Sequence, residues 1–157
     1  MGKKKIYLAG PLFNVGERLH NLFLEKHLTA WGYEVILPQR EALKFFNGKV
    51  FNVKGIVEDC RKNSADGENV FVCNTDGPDA DSGACVEYGI ATAITGRAVV
   101  YRTDFRTDTE KELGVNAMLQ GKGTVFIYEP CFFTELDQVE EYYQKLAKRI
   151  HDAILTL

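Results

Sequence analysis

Several patterns that mark common protein classes are missing from this chain. Its four cysteines form no Cys-x-x-Cys pair and none of its three histidines lies near them, which argues against a zinc site. The formal net charge of -3 and the pI of about 5.6 leave no strong basic face for a nucleic-acid polymer. The sequence shows neither a membrane-spanning apolar run nor a signal-peptide core. We therefore expect a cytoplasmic protein without a metal, whose partner is a small molecule and not a polymer or a membrane.

Phosphate-binding motifs are also absent. The sequence contains neither a Gly-x-Gly-x-x-Gly fingerprint nor a Walker loop, so we expect no nucleotide cofactor of the dehydrogenase or NTPase type, and no cofactor at all. With 45% hydrophobic and 11% aromatic residues, the 157 residues can bury the core of one domain over 1–157. All four cysteines, Cys60, Cys73, Cys85 and Cys131, are interpreted as small apolar side chains and not as nucleophiles.

Hydrophobic periodicity predicts strands that alternate with helices. This alternation indicates an α/β fold, a parallel five-stranded sheet with helices on both faces, of flavodoxin or Rossmann type. Ligands of such sheets bind beyond the carboxyl ends of the strands, so the loops at 10–13, 38–40, 74–82 and 102–106 should converge on one pocket. The predicted strands are 4–9, 33–38, 69–73, 98–101 and 123–128, and the predicted helices are 15–31, 53–63, 82–95 and 134–154.

Two of these helices carry an apolar stripe that predicts their buried face. The stripe of the helix at 15–31 is formed by Leu19, Leu22, Phe23, Lys26 and Leu28. The stripe of the helix at 134–154 is formed by Leu136, Val139, Tyr143, Leu146, Ile150 and Ile154.

The segment 79–91 places two carboxylates just after a buried strand. Ser82 is the predicted N-cap of the following helix, Asp81 precedes it, and Glu87 lies in the first two helical turns. Because Val86 and Ile90 flank Glu87, its ionised carboxylate would be costly to bury unless it is hydrogen-bonded or takes part in chemistry. The alternative interpretation is a solvated helix residue.

Three motifs resemble the nucleoside 2-deoxyribosyltransferase family. Residues 79–83 followed by 87–91 closely resemble the family signature, and 6–13 with Glu17 and Arg18 resemble its first strand and loop. Residues 101–106, followed by 116–118, form the third match. The motifs occur in the family's order from residue 6 to residue 118, so the chain is identified as a member.

The resemblance implies a reaction and its catalytic residues. Glu87 would be the nucleophile that forms a covalent ester with 2-deoxyribose, so that transfer between nucleobases gives net retention. Tyr7, at the end of the first strand, would hydrogen-bond this carboxylate and fix its orientation. Asp59 resembles the acid that moves a proton to and from the leaving base. Asp66 is a rival for that role, although it fits better as the residue that ends a helix.

Substrate-binding roles also follow from the resemblance. Asp81 would accept hydrogen bonds from the deoxyribose hydroxyls, and Asn116 would complete sugar recognition from a neighbouring subunit. Phe13 and Gln39 would hold the nucleobase, by stacking and by amide hydrogen bonds. The partners are therefore a deoxynucleoside, a free nucleobase and further copies of the chain, in a dimer-based assembly of up to six subunits. Gly10, Ser82 and Gly83 complete the predicted substrate-binding residues.

Arg102 and Arg106 have two interpretations. They could clamp a 5′-phosphate, which would favour a hydrolase of deoxynucleoside 5′-monophosphates from the same superfamily. They could instead form a structural ion pair with Asp104 or Asp108, which is the preferred interpretation. A binding module without turnover is the third possible function, and the sequence leaves the choice between purines and pyrimidines open.

Overall fold

The computed structural model describes residues 4–106 and 114–157. The strands are β1 (Lys5–Ala9), β2 (Glu34–Ile36), β3 (Asn69–Asn74), β4 (Ala98–Arg102) and β5 (Thr124–Tyr128). The helices are α1 (Val15–Ala30), α2 (Pro38–Glu41), α3 (Val53–Ala65), α4 (Ser82–Thr95) and α5 (Val139–Thr156). Short 3-10 helices span Ala42–Phe45, Ala117–Leu119 and Leu136–Gln138.

The five strands form one parallel sheet in the order β2-β1-β3-β4-β5. This confirms the predicted α/β class and the five-stranded sheet. In the sheet, β2 lies on one side of β1, and β3, β4 and β5 follow on the other side. The direction in which successive strands are added therefore reverses between β1 and β3. Such a reversal leaves a crevice at the carboxyl ends of the two strands, where ligands of this fold class bind.

Alternate side chains of the strands pack into two separate layers. Ile6 and Leu8 of β1 belong to the core that includes Leu24 of α1 and Ile150 of α5. Tyr7 and its neighbour Ala9 point the other way, into the core that α4 covers with Ala84 and Tyr88. The helix α3 packs along α4 on that same side. The period of two in β1 therefore directs the Tyr7 ring toward the helix that carries Glu87.

The apolar stripe predicted for the first helix is only partly correct. Leu28 is buried as predicted and so is Leu24, which the stripe did not include, but Leu19, Leu22 and Lys26 are exposed. Polar residues complete the buried face, because Asn21 donates a hydrogen bond to the Pro11 carbonyl and His27 contacts Glu140.

The stripe predicted for the terminal helix begins later than expected. Tyr143, Leu146, Ile150 and Ile154 are buried as predicted, whereas Leu136 is exposed. The reason is local, since Leu136 lies in a 3-10 turn before α5 begins at Val139.

The segment after β2 is a short helix and not the expected loop. Pro38 occupies the first position of α2, where a fixed φ and a missing N–H suit a helix start. In the region 41–68 only a helix at 53–63 was expected. The structure has the 3-10 helix Ala42–Phe45 and then α3, which ends two residues later than expected, at Ala65. This arrangement brings the start of α2 and one side of α3 to the crevice at β1.

Candidate active site

A cavity of about 490 Å³ lies beside the carboxyl end of β1, between the following loop and helices α3 and α4. It contains the Glu87 carboxylate among its walls. A larger cavity of about 680 Å³ lies along another side of α4, but Glu87 does not line it. We take the smaller cavity as the candidate active site because the Glu87 carboxylate lines it at the switch point of the sheet. Its walls are Gly10, Leu12, Phe13, Arg18, Pro38, Ala42, Phe51, Ile56, Cys60, Asp81, Gly83, Ala84 and Glu87.

The best-defined contact in this cavity joins Tyr7 to Glu87. The Tyr7 hydroxyl donates a hydrogen bond of 2.8 Å to Oε1 of Glu87. Tyr7 lies at the middle of β1, opposite Phe71 of β3, and not at the end of the strand as expected. Its side chain is 1% exposed, so the sheet fixes the phenol before any ligand binds.

The electrostatic environment defines the protonation states of this pair. Burial raises the pKa of Glu87 above its usual value, the hydrogen bond from Tyr7 acts in the opposite direction, and the charge of Asp81 raises it again. Burial, followed by the negative charge of Glu87, raises the pKa of Tyr7. Tyr7 therefore stays protonated and donates its hydrogen to Glu87.

The helix α3 contributes a thiol to the cavity and not the expected carboxylate. Cys60 lines the cavity, and burial raises the pKa of its thiol to about 11. Asp59 does not line the cavity, and its Oδ2 accepts a hydrogen bond of 3.1 Å from Asn63 in the next turn. The structure thus does not bring the Asp59 carboxylate together with Glu87.

The rival carboxylate, Asp66, follows the end of α3. Its Oδ1 accepts a hydrogen bond of 3.0 Å from the Glu68 backbone N–H, as suits a residue that ends a helix. Sequence reasoning missed Cys60, although its spacing of four from Ile56 and Ser64 indicates a shared inner face of α3.

Asp81 and the first turn of α4 form the wall next to Glu87. Asp81, and not Ser82, is the N-cap, since its Oδ2 accepts a hydrogen bond of 2.9 Å from the Ala84 N–H. No donor among the described residues contacts the other oxygen, Oδ1, which leaves that atom available to a ligand. A side chain at Gly83 would place its Cβ 3.1 Å from Asp81 Oδ2. Ser82 is exposed and lies outside the cavity wall.

The loop after β1 forms the mouth of the cavity. Gly10 has a φ of +145°, and a Cβ there would lie 2.8 Å from the Cβ of Asn74, so the loop can cross the end of β3 only with glycine. Phe13 is 78% exposed at this mouth. Phe51, which precedes α3, lies on the same wall and was not expected from the sequence.

Gln39 does not line the cavity, so the predicted contact with a nucleobase is not supported by this geometry. The side chain is buried, and its Oε1 accepts a hydrogen bond of 2.9 Å from Asn21 Nδ2. Its Nε2 donates to the Arg18 carbonyl at 3.4 Å. Both ends of the amide are therefore engaged inside the protein, where they connect α2 to α1.

The two arginines after β4 are used for structure. Arg102 is buried and donates hydrogen bonds to the carbonyls of Thr75 and Gly77, at 2.5 and 3.0 Å. Arg106 contacts Asp104 at 3.1 Å, and Arg102 lies 3.9 Å from the same oxygen. This agrees with the preferred ion pair to Asp104, whereas the other predicted partner, at position 108, lies outside the described residues.

A different arginine, Arg18, lines the candidate site. Its Nη1 donates to the Leu12 carbonyl at 3.2 Å. Within 4–106 and 114–157, no carboxylate forms a salt bridge with it. Arg18 is thus the guanidinium group positioned to meet an anionic ligand in this cavity.

Asn116 lies on the other cavity along α4. Its Oδ1 accepts a hydrogen bond of 3.0 Å from the Met118 N–H and begins the 3-10 helix Ala117–Leu119. It does not line the cavity of Glu87 in its own chain. A joint action of these two residues therefore requires a second copy of the chain.

The sheet order and the carboxylate cavity at its switch point define an α/β enzyme of the flavodoxin-like class. Within this class, the model of the family described as nucleoside 2-deoxyribosyltransferase matches residues 6–118. The chain belongs to this family, whose superfamily acts on N-glycosidic bonds. A search of curated protein sequences gave no match.

Solved structures of three bacterial proteins share the fold. A conserved protein of Enterococcus faecalis V583 is 23% identical, with a TM-score of 0.66 over 92% of this chain and 99% of its own. A 2-deoxyribosyltransferase of Bacillus psychrosaccharolyticus is 21% identical, with a TM-score of 0.56 and coverage of 91% and 95%. A CMP N-glycosidase of Clostridium botulinum is 17% identical, with a TM-score of 0.56 and coverage of 93% and 99%. At these identities the likeness shows the fold alone.

Two further findings concern membranes and metals. None of the helices in the described part of the chain is both long and apolar enough to cross a membrane. In the same residues, no group of three or more His, Cys, Asp or Glu side chains is placed to hold a metal ion.

Proposed function

We propose that this protein transfers 2-deoxyribose between nucleobases through a covalent ester on Glu87. The observation that carries the proposal is the 2.8 Å hydrogen bond from Tyr7 to Glu87 in a cavity at the switch point of the sheet. Glu87 is half-buried, and desolvation of an ionised carboxylate is costly unless it is hydrogen-bonded or takes part in chemistry. Its hydrogen-bond donor is the neutral phenol of Tyr7, and among the described residues no cation pairs with it. That arrangement suits a nucleophile that must meet a developing positive charge on a sugar.

The reaction would proceed in two displacements at the anomeric carbon. An oxygen of Glu87 bonds to C1′ while the bond from C1′ to the nucleobase nitrogen breaks, and the base leaves with a proton. A nitrogen of the second base then attacks C1′, the ester bond breaks, and Glu87 returns to its ionised form. Each step inverts C1′, so the product keeps the original configuration.

The source of the proton for the leaving base is a separate part of the proposal. Asp59 was the expected donor, but its carboxylate is hydrogen-bonded to Asn63 outside the cavity wall. Asp81 is the carboxyl group next to Glu87 and is partly used as a helix cap. We therefore assign proton delivery to water in the cavity and assign Asp59 no direct contact with the base.

The other wall residues would position the substrate. The second oxygen of Asp81 would accept a hydrogen bond from a deoxyribose hydroxyl, and the aromatic rings of Phe13 and Phe51 would contact the base. Asn116 would reach the sugar from a neighbouring subunit, so the working unit is a homo-oligomer built from dimers. The position of Asn116 outside its own chain's cavity supports this shared site.

The test is an incubation of the purified protein with deoxyinosine and adenine, followed by chromatography. The expected products are deoxyadenosine and hypoxanthine in equal amounts. Rapid quenching should also leave a deoxyribosyl adduct on the peptide that contains Glu87, detectable by mass spectrometry. Hypoxanthine and free deoxyribose without any deoxyadenosine would contradict transfer and indicate hydrolysis.

A second candidate function is hydrolysis of a deoxynucleoside 5′-monophosphate at the same carboxylate. It is favoured by one observation, the Arg18 guanidinium on the cavity wall without a carboxylate partner among the described residues. A planar guanidinium can bind a phosphate through two parallel hydrogen bonds. The C. botulinum neighbour is a CMP N-glycosidase, and CMP is a nucleoside 5′-monophosphate that carries ribose in place of deoxyribose.

The two candidates can be separated with dIMP and a pair of arginine variants. If the phosphate is recognised, Arg18→Ala should lose hydrolysis of dIMP by about tenfold or more, as expected for a charged hydrogen bond, while deoxyinosine turnover is retained. The control is Arg106→Ala, since Arg106 is an exposed arginine that pairs with Asp104 and does not line the cavity. Equal turnover of dIMP by the parent and Arg18→Ala would remove phosphate recognition from Arg18.

A further inference from the structure

The residue after the candidate nucleophile, Tyr88, points to another side of α4. Successive residues of a helix are turned by about 100°, so Glu87 lines the candidate active site whereas Tyr88 lines the larger cavity. Tyr88 is 5% exposed and belongs to the same core layer as Tyr7. One helix thus presents the nucleophile to one cavity and a buried phenol to the next.

The Tyr88 hydroxyl holds two points of the chain that leads into β5. It accepts a hydrogen bond of 3.1 Å from the Gly121 N–H. It also lies 2.7 Å from Oγ1 of Thr124, the first residue of β5. A phenol has one hydrogen to donate, and since Gly121 supplies its own, that hydrogen can be donated to Thr124. A Cβ at position 121 would lie 3.3 Å from the Tyr88 oxygen, so glycine suits this close approach.

The segment held in this way carries Asn116. The Leu119 N–H donates a hydrogen bond of 2.9 Å to the Asn116 carbonyl, and Leu119 is buried in the same core layer as Tyr88. The Thr124 N–H then donates to the Gly121 carbonyl at 3.1 Å. Because these bonds make the segment one hydrogen-bonded unit, fixing it at Gly121 also fixes the position of Asn116 beside α4.

We propose that Tyr88 is a positioning residue, whose hydroxyl holds the segment of Asn116 against α4 and so sets the place from which Asn116 reaches the sugar. The inference rests on the proposed function, in which Asn116 binds deoxyribose in a neighbouring subunit. The helix that carries the nucleophile of one site therefore also positions the sugar-binding residue of the next. Loss of the hydroxyl should weaken sugar binding and leave the covalent step on Glu87 intact.

The first test measures transfer kinetics in the parent, Tyr88→Phe, Thr124→Val and Thr124→Ser. Tyr88→Phe removes both hydrogen bonds and keeps the ring, so KM for deoxyinosine should rise about threefold to tenfold while kcat stays within about twofold. Thr124→Val has nearly the shape of threonine and removes one of the two bonds, so KM should rise by a smaller factor. Thr124→Ser keeps the hydroxyl and should retain the KM of the parent.

A double-mutant cycle with Asn116→Ala shows whether Tyr88 acts through Asn116. If it does, Tyr88→Phe should lower kcat/KM no further in the Asn116→Ala background, because the residue that it positions is already absent. A merely structural role would give the same fold-decrease in both backgrounds, which would overturn the inference.

The matched control is Tyr142→Phe, which also removes one phenol oxygen. Tyr142 is half-buried, donates a hydrogen bond of 2.7 Å to the Glu129 carbonyl and lines neither cavity. Its loss should leave KM unchanged. Thermal melting followed by circular dichroism identifies any variant that is not folded, and Thr124→Val takes the place of Tyr88→Phe in the cycle if Tyr88→Phe does not fold.

Amide hydrogen exchange separates this inference from the proposed function. Mass spectrometry of a peptide that spans 115–123 reports the protection of the Gly121 N–H, whose acceptor is the Tyr88 hydroxyl. The inference predicts faster exchange of this peptide in Tyr88→Phe than in the parent and Tyr142→Phe, whether or not deoxyribose is transferred. Unchanged exchange in folded Tyr88→Phe would overturn it, whereas faster exchange in a protein without turnover would overturn only the proposed function.

Discussion

The Tyr7→Phe substitution removes one oxygen atom at the centre of the candidate site. The hydroxyl donates the 2.8 Å hydrogen bond to Oε1 of Glu87, while the ring packs in the core 6.0 Å from the Phe71 ring, measured between centroids. Phenylalanine can keep that ring contact, since Tyr7 is held between β2 and β3 by the backbone of the sheet. The change therefore isolates the donor from the packing.

The size of the effect follows from the kind of hydrogen bond that is lost. A bond to a charged group contributes about 1.5–3 kcal/mol, roughly twice that of a neutral pair. If the orientation of Glu87 is needed only in the transition state, that energy appears in kcat, and about 1.4 kcal/mol corresponds to a factor of ten. We expect kcat to fall about 10-fold to 150-fold. The free energy of unfolding should change by about 1 kcal/mol or less, because the buried hydroxyl also loses its desolvation cost.

The assay is steady-state transfer from deoxyinosine to adenine at saturating concentrations of both. KM for deoxyinosine should stay within about threefold of the parent, since the phenol contacts the nucleophile and not the base. The control is Tyr33→Phe, because the Tyr33 hydroxyl makes a hydrogen bond of 2.9 Å to His151, far from the cavity. A steep rise in KM at unchanged kcat would show that Tyr7 binds substrate and would refute its role in orientation.

Four further outcomes are expected. Glu87→Gln should lose transfer by several powers of ten, and activity within about tenfold of the parent would remove Glu87 as the nucleophile. Burial raises the pKa of Glu87 in the folded protein, so ionisation of this carboxyl group with rising pH lowers the free energy of unfolding. Glutamine does not ionise, so Glu87→Gln should melt at a higher temperature than the parent at pH 8. This difference should disappear below pH 4.5, the usual pKa of glutamate. Inosine should react orders of magnitude more slowly than deoxyinosine, since the 2′-hydroxyl withdraws electrons from the oxocarbenium-like transition state, and equal rates would contradict a deoxyribosyl enzyme. A co-refolded mixture of Glu87→Ala and Asn116→Ala subunits should regain part of the activity if the site is shared, and mixed oligomers that stay inactive would contradict a shared site.

The sheet could be predicted from the sequence because its signals are local and periodic, whereas the contact of Tyr7 with Glu87, 80 positions away, was expected only from the family resemblance. Short apolar runs separated by helical stretches define the strands of a parallel sheet, and the period of two in β1 sends Tyr7 and Ile6 to opposite layers. The helix after β3 begins at Ser82, which was also expected from its residues. Each of these features depends on the order of neighbouring residues and not on distant partners.

Gln39 and Asn21 show why other features could not be predicted. Both are polar, and a sequence pattern assigns polar side chains to solvent or to a ligand. In the structure, Asn21 of α1 donates a hydrogen bond of 2.9 Å to Gln39 of α2, and the two residues are 18 positions apart in the sequence. Burial of a polar pair follows from the tertiary arrangement, so neither residue alone could reveal it.

Asp59 and Cys60 show how a shift of one position changes the chemistry of the site. Successive residues of a helix are turned by about 100°, so only one of two neighbours can face the cavity. Resemblance selected Asp59 because it has the expected carboxyl group, but the geometry selects Cys60. Glu87 already faces the negative charge of Asp81, and a further carboxylate from α3 would raise its pKa again. A neutral thiol adds no negative charge, so Cys60 leaves Glu87 easier to ionise than a carboxylate at that position would, but α3 then supplies no acid for the departing base.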